Sequence, residues 1–138
     1  MRDFANNIAV RPVIAPAANA DLGTTALVGT VIDRLGFEGL TYAIITGTLS
    51  DADATYTVLL EESDEAGANF TAVADANMIG TEAAAGFVFS DDGVTRKLGY
   101  IGNKRYTRLT ITPAAANSGN SPIASIAILG HAASRPVS

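Results

Sequence analysis

The sequence contains no cysteine and no tryptophan, and its only histidine is His131. The absence of cysteine excludes disulfide frameworks, thiolate metal sites and cysteine nucleophiles. Zinc is disfavoured too, because one histidine would leave the remaining ligand positions to carboxylates. No apolar run approaches the roughly 20 residues of a membrane-spanning helix, so no membrane partner is expected.

Basic residues are missing from the middle of the chain. No Lys or Arg occurs between Gly36 and Thr95, a stretch that holds most of the acidic residues and is called the acidic window here. The net charge of −5 argues against nucleic acid as a partner. Five of the nine basic residues fall in one short segment after the window: Arg96, Lys97, Lys104, Arg105 and Arg108.

After Thr25, polar and apolar residues alternate with a period of two, which is typical of β-strands. Turn residues (Gly, Asp, Asn, Ser and Pro) separate the alternating segments. The strands are predicted at residues 26–33, 40–47, 54–62, 86–90, 95–102, 104–113 and 122–130. Residues 64–85 are predicted to be a loop with at most a short turn of helix, because Gly67 and Gly80 interrupt them. The pattern predicts an all-β fold: an antiparallel β-sandwich, jelly-roll-like, or a β-barrel.

Residues 1–24 differ from the rest, because Pro12 and Pro16 favour extended backbone and remove two hydrogen-bond donors. Asp3, Arg11 and the two prolines are unlike a signal peptide, so the segment is interpreted as part of the mature protein. We expect an extended N-terminal arm (1–24) with little potential for the core, followed by a single β-sandwich domain (25–138). Such an arm can lie on a neighbouring subunit or fray.

No complete catalytic motif is present. His131 follows the last predicted strand, where a surface role is expected. Glu61 and Glu62 are neighbours on a strand and should point to opposite faces, so they are not expected to share a catalytic site. Asp51, Asp53, Asp91 and Asp92 lie in turns, where Asp hydrogen-bonds its own backbone. Calcium at Asp51 and Asp53 stays open as an alternative. No nucleotide-binding loop occurs, and no enzyme activity or cofactor is expected.

The basic segment suggests a protein interface. Gly102 and Asn103 are predicted to form a tight turn between the strands at 95–102 and 104–113, which would pair as a hairpin. Leu109 and Ile111 would face the core, whereas Tyr106 and Arg108 would face outward, and such side chains are enriched at interfaces. The predicted interface residues are Arg11, Arg96, Lys97, Lys104, Arg105, Tyr106 and Arg108. An acidic partner, or the acidic window of a second copy, would complement them; the alternative is an edge strand protected by charge.

Several stretches resemble small structural proteins of tailed bacteriophages and prophages. They are TVIDRLGFEGLTYAIITGTLSDADATYTVLLEESDE, TAVADANMIGTEAA, RKLGYIGNKRYTRLTITP and AILGHAASRPV, and together they cover roughly residues 22–137. The resemblance implies a virion component made in the host cytoplasm. Together with the small size, the β pattern and the low charge, it favours a head decoration (cement) protein on the capsid surface.

That role would be non-enzymatic. The expected partners are the major capsid protein and further copies of the chain, with a homotrimer favoured. Two alternatives remain open at this point: a carbohydrate- or receptor-binding module of a head spike or fibre, and a tail or connector subunit. A sugar site would need exposed aromatic residues, for which Tyr100 and Tyr106 are the candidates, because Tyr42 and Tyr56 are predicted to face the core.

Overall fold

The computed structural model describes residues 2–16, 22–116, 119–134 and 136–137. Eleven strands make up most of the regular secondary structure of the described residues. They are β1 Ala9–Ile14, β2 Leu27–Val28, β3 Ile32–Asp33, β4 Phe37–Thr46, β5 Thr55–Ser63, β6 Thr71–Ala72, β7 Met78–Ile79, β8 Phe87–Val88, β9 Thr95–Tyr100, β10 Tyr106–Ala114 and β11 Ile123–Ala132. A short helix, α1, spans Glu82–Ala85, and short 3-10 helices lie at Ala5–Asn7 and Asp75–Asn77. The all-β prediction is confirmed.

The strands form two antiparallel sheets packed as a sandwich. The first sheet has the order β1-β11-β4-β9-β7. In the second sheet β10 and β5 form the centre, with β2 and β3 beside β10 and with β6 and β8 beside β5. The two sheets have separate strand orders, so the sandwich is the correct one of the two predicted architectures.

Period-two alternation sends one set of side chains from each sheet into a shared core. In β4 the buried residues are Leu40, Tyr42 and Ile44, whereas the residues between them are at least partly exposed. In β10 they include Leu109 and Ile111, both fully buried as predicted. Burying each such aliphatic side chain contributes about 1.5–3 kcal/mol, so these inward faces hold the two sheets together.

The N-terminal segment is extended as expected, but it belongs to the sandwich. Strand β1 pairs antiparallel with β11. Ala9 lies opposite Leu129 and Pro12 opposite Ile126, and the pairing register shifts between Pro12 and Ile14. Ala9, Val13 and Ile14 are buried, which corrects the expectation of little core potential. Pro12 lies on an edge strand, which is where proline is found in sheets. Residues 17–21 of the predicted arm, and 117–118 of a predicted loop, lie outside the described residues.

The predicted hairpin between β9 and β10 is wrong. Strand β9 pairs with β4 and β7 in the first sheet, whereas β10 pairs with β5, β2 and β3 in the second. Residues 101–105 therefore cross from one sheet to the other. The core-facing residues Leu109 and Ile111 of β10 were predicted correctly. Strands β9 and β10 send their apolar residues inward from opposite sides of the core, which a sequence period alone does not distinguish from a hairpin.

Two further segments differ in detail from the predictions. The predicted strand at 26–33 is divided into β2 and β3, because Gly29 passes close to β10: its N–H donates to the Leu109 carbonyl at 2.8 Å, and a Cβ there would lie 2.5 Å from that oxygen. Residues 64–85 carry the predicted short helix, which begins where Thr81 Oγ1 accepts the N–H of Ala84 at 3.0 Å. They also contribute β6 and β7.

Candidate protein-interaction surface

The crossover at residues 101–105 is built around the ring of Tyr100. The Tyr100 hydroxyl donates to Glu62 Oε2 at 2.5 Å and accepts the backbone N–H of Lys104 at 3.0 Å. On the ring face, the Arg34 guanidinium lies 4.6 Å from the centroid and donates to the carbonyls of Gly102 and Lys104 at 3.0 and 2.9 Å. Burial, and then the hydrogen bond to Glu62, raise the pKa of Tyr100 to about 12. This buried arrangement holds the crossover in place.

Two basic residues of the crossover form ion pairs within the chain. Arg105 donates to both carboxylate oxygens of Asp33, at 2.8 and 2.9 Å, and lowers the pKa of Asp33 below its usual value. Lys104 Nζ lies 2.5 Å from Asp64 Oδ2, and that contact raises the pKa of Lys104. Tyr106, which is half-buried, lies with its ring centroid 5.0 Å from the Arg105 guanidinium.

Two further arginines on the strands are also paired. Arg108 lies 3.0 Å from Glu61 on the neighbouring strand, and its guanidinium stacks 4.3 Å from the ring centroid of Phe70. Arg96 approaches Asp91 at 3.5 Å. In three of these four pairs, all except Arg96–Asp91, acidic and basic residues that are far apart in the sequence meet inside one molecule. The proposal that these residues bind a partner is not tested by the structure and stays a prediction.

The remaining predicted interface cations, Arg11 and Lys97, have no ion pair within the described residues. Arg11 is exposed on edge strand β1, where its guanidinium donates to the neighbouring Val10 carbonyl at 3.2 Å. Lys97 is exposed on β9, on the outward face of the first sheet. Of the seven predicted residues, these two are the most available for an outside partner.

The carboxylates considered for catalysis or metal binding serve the backbone or form side-chain pairs. Glu61 pairs with Arg108 outside the sandwich, whereas Glu62 reaches Tyr100 between the sheets, so they point apart as predicted. Asp51 Oδ1 accepts the N–H of Asp53 at 3.1 Å, as expected for a turn residue. Among the described residues, no group of three or more His, Asp or Glu is placed to hold a metal ion. His131 is exposed at the end of β11 with a positive φ of 52°.

Three of the four tyrosines are buried in the core. Tyr42 shares a 2.6 Å hydrogen bond with Thr107, and Tyr56 one of 2.5 Å with Ser121, while burial raises the pKa of Tyr42. Tyr56 also stacks on Phe87 with 4.8 Å between ring centroids. Tyr100, a candidate for sugar binding, is buried as well. Of the tyrosines, only Tyr106 is left with a partly exposed ring, which is a weak basis for sugar stacking.

One open surface groove has carboxylates that are already engaged. It has a volume of about 570 Å³ beside β5 and β8 and is lined in part by Thr55, Phe87, Glu82 and Asp91. Glu82 accepts the backbone N–H of Leu60 at 2.7 Å, and Asp91 accepts that of Val88 at 2.9 Å. These acids organise the chain around them instead of converging on the groove.

The outward face of the first sheet is the unusual surface of this molecule. Its outward positions carry apolar side chains in cross-strand rows: Val10 beside Ile128, Pro12 beside Ile126 and Ala43, and Ala124 beside Ile45. Ile45 is 52% exposed, Val10 50% and Ile126 40%. We call this surface the outer apolar face; it consists of Val10, Pro12, Ala43, Ile45, Ile79, Ala124, Ile126 and Ile128. Lys97 is the only charged side chain at the outward positions of these described strands.

The centre of the outer apolar face is a shallow trough. Small residues occupy most outward positions of the middle strands: Thr41 of β4 lies beside Gly99 of β9, and Ala43 lies beside the longer Lys97. A groove of about 250 Å³ opens there and is lined by Ala43, Ile45, Thr95, Ala124 and Ile126, among others. The large side chains of β1 and β11 form a ridge along one side of the trough. The face therefore has relief into which side chains of a partner could pack.

The outward face of the second sheet is more polar, although Val28, Leu59 and Val88 are exposed on it. Thr57 lies beside Thr112, and the Arg108–Glu61 ion pair lies further along the same two strands. Antiparallel sandwiches normally present polar residues outward and apolar residues inward. The first sheet departs further from that rule than the second. Large exposed apolar patches are often found at interaction sites of proteins.

Comparisons with known proteins give the fold but no family. No protein-family model and no curated protein matches the chain. Among solved structures, an infectious bursal disease virus VP2 subviral particle matches with a TM-score of 0.50 at 12% identity, covering 94% of this chain and 33% of that one. This likeness supports the β-sandwich fold.

Two carbohydrate-binding modules are similar at a lower level. A family 35 module from an environmental isolate has a TM-score of 0.48 at 11% identity and covers 90% of this chain and 94% of that one. A family 29 module from Piromyces equi has a TM-score of 0.43 at 15% identity and covers 89% and 91%. In the described part of the chain, no helix has the length and apolar character of a membrane-spanning segment.

Proposed function

We propose that this chain is a non-enzymatic structural protein that works by adhesion to protein neighbours. The observation that carries the proposal is the outer apolar face, which leaves Ile45, Val10 and Ile126 exposed on a sheet with one outward charge. Leaving such a face in water is unfavourable, and burying it against protein recovers about 25 cal/mol per Å² of apolar surface. The face is broad and shallow, which suits a protein surface better than a small molecule.

The resemblance to structural proteins of tailed phages suggests which particle the protein would belong to. We propose a decoration protein on the capsid surface, bound to the major capsid protein and present in many copies. A stiff sandwich with its ion pairs satisfied internally suits that role, because little side-chain entropy remains to be lost on docking. Many weak contacts of this kind would add up to a large stabilisation of the shell.

Purified particles provide the test. Mass spectrometry of particles from the producing strain should find the chain in stoichiometric amounts with the capsid protein. Particles lacking it should regain it when the purified protein is added and should then resist heating better than undecorated particles. Absence of the chain from particles, or its presence only in the tail fraction, would contradict the proposal.

A face variant and a matched control sharpen that test. Ile126→Lys places a charge on the outer apolar face, whereas Leu59→Lys places one on the outward face of the second sheet, where Leu59 has a similar exposure of 37%. The first substitution should reduce particle occupancy and the second should leave it unchanged. A glycan array provides the competing outcome: binding that is lost on Tyr106→Ala would favour a carbohydrate-binding module instead.

A further inference from the structure

The outer apolar face raises the question of which protein covers it. It contains large side chains on β1 and β11, small ones on β4 and β9, and a single charge, Lys97, which lies beside Ala43. We propose that a second copy of this chain covers it, in a face-to-face contact with twofold symmetry. This inference rests on the proposed role of the face as a protein contact.

The charge pattern favours a second copy over a foreign partner. Partners of different sequence usually recognise each other through complementary charges, which set specificity and steer association. The outer apolar face has little of that kind: Lys97 is the one charged residue at its outward strand positions, and Glu38 and His131 line a groove with Ile79 and Lys97 at one end. Contacts between identical subunits are more apolar than contacts between independently folded partners, and the face has that composition.

The rest of the surface determines the symmetry of the contact. If the outer apolar face met a different patch on the second copy, that patch would have to be apolar and of similar size. The outward face of the second sheet is a poorer match, because its exposed apolar residues Val28, Leu59 and Val88 are separated by threonines and the Arg108–Glu61 pair. The outer apolar face matches its own copy better, and a contact between two such faces closes as a twofold dimer.

The relief and area of the face are compatible with such a dimer. The ridge formed by Val10, Ile126 and Ile128 has a counterpart in the trough along Ala43 and Gly99, so a twofold rotation can bring each ridge against the other trough. Strand spacing and rise give roughly 16 Å² of sheet per residue, or roughly 500 Å² for this sheet. Two copies would bury about 1,000 Å², which is near the lower limit for a specific interface.

Sedimentation equilibrium and cross-linking test the inference on the full-length protein. The wild type should sediment as a dimer at micromolar concentration. Ile126→Lys should raise the dissociation constant about 100-fold, because it would bury an unpaired charge. Leu59→Lys should behave as wild type. Circular dichroism and thermal unfolding of each variant establish that the sandwich is intact.

Cross-linking gives a second readout that does not depend on a disruptive substitution. The chain has no native cysteine, so Ala43→Cys introduces one thiol near the centre of the outer apolar face. A short thiol-reactive cross-linker should join two copies of Ala43→Cys, whereas Thr57→Cys, at mid-strand on the outward face of the second sheet, should stay monomeric under the same conditions. A monomeric wild type, a trimer that persists in Ile126→Lys, or equal cross-linking of the two cysteine variants would overturn the inference.

The two proposals can fail separately. A monomeric wild type that still binds particles through the outer apolar face would overturn the second-copy contact and leave the proposed function standing. A wild-type dimer that is absent from particles would support the second-copy contact and contradict the proposed function.

Discussion

The guanidinium of Arg105 donates two hydrogen bonds to the carboxylate of Asp33, with N···O distances of 2.8 and 2.9 Å. The pair joins the start of the long strand β10 to the end of the short strand β3, which are 72 residues apart in sequence. The contact is an example of how basic residues of this chain form ion pairs with its own acidic residues.

Removing Arg105 should weaken the fold in a pH-dependent way. Because the ion pair lowers the folded-state pKa of Asp33, its contribution to stability is present above the unfolded value of 3.8 and is lost as the pH falls through the folded value. Arg105→Gln should therefore be slightly less stable than wild type at pH 7, and the difference should vanish well below pH 3.8. Urea unfolding at both pH values measures it.

The double variant provides the control for this pair. In Asp33→Asn the substitution of Arg105 should have no further effect at either pH, because the carboxylate that it serves is gone. An effect of Arg105→Gln that is equal at pH 7 and at the acidic pH would show that the pair does not contribute.

Much of the fold could be predicted from the sequence, because alternation reports directly which residues face the core. Tyr42, Tyr56, Leu109 and Ile111 were all expected inside, and all are buried. Alternation does not report which strands pair. The segment from Leu98 to Leu109 was expected to form a hairpin, because a Gly-Asn pair between two strands is also the signature of a tight turn. The ring of Tyr100 and the side chain of Arg34 hold it as a crossover instead.

The candidate surface was less accessible to prediction, for a different physical reason. The outer apolar face is assembled from Val10, Ile45, Ile79 and Ile126, which come from four separate strands and look like ordinary strand residues one at a time. One signal was present: Ile44 and Ile45 are adjacent, so one of them had to face away from the core. The predicted interface cations drew attention first, because charge clusters are visible in a linear sequence whereas a patch depends on strand order.

Replacing Tyr100 with phenylalanine should destabilise the protein by about 1–3 kcal/mol, since it removes a buried hydroxyl that bonds Glu62 and the Lys104 N–H. The pH dependence should also change. The pKa of Tyr100 is raised from 10.0 to about 12 in the folded state, so its contribution is complete below pH 10 and is lost as the pH rises toward 12. Wild-type stability should fall more steeply with pH in that interval than the stability of Tyr100→Phe.

The measurement is chemical unfolding at several pH values between 8 and about 11.5, a range chosen to span most of the interval in which the linkage acts. Thr57→Val on the exposed outward face of the second sheet serves as a control for loss of a hydroxyl, and its pH profile should match that of wild type. Parallel profiles for Tyr100→Phe and wild type would contradict the linkage.

Gly102 should not tolerate a side chain. A Cβ at this position would lie 2.5 Å from the Tyr100 hydroxyl oxygen and 2.6 Å from the adjacent ring carbon, inside the buried crossover. Because Tyr100 is held by its hydrogen bonds, we expect Gly102→Ala to cost about 1–3 kcal/mol, as overpacking does. Gly67→Ala is the matched control: nothing lies within 4 Å of its Cβ position and its φ is not positive, so its urea midpoint should stay at or above the wild-type value.

Arg108 should act as the anchor of the segment around Phe70. Its guanidinium stacks 4.3 Å from the Phe70 ring centroid and pairs with Glu61 at 3.0 Å, on a half-buried part of the second sheet. Together these contacts are worth about 1–2 kcal/mol. Beyond lowering global stability, Arg108→Ala should speed hydrogen exchange in residues 64–73, because β6 is a two-residue strand that pairs only with β5.

Arg108→Lys separates the two contributions of this anchor. Lysine keeps a positive charge beside Glu61 but lacks the planar group that stacks on the ring, so its exchange rates should lie between those of wild type and Arg108→Ala. Phe70→Leu should resemble Arg108→Lys, since it removes the same stacking from the other side. If Arg108→Ala exchanged no faster than wild type in residues 64–73, the segment would be held by its backbone pairing with Glu61 and Glu62 and not by the arginine.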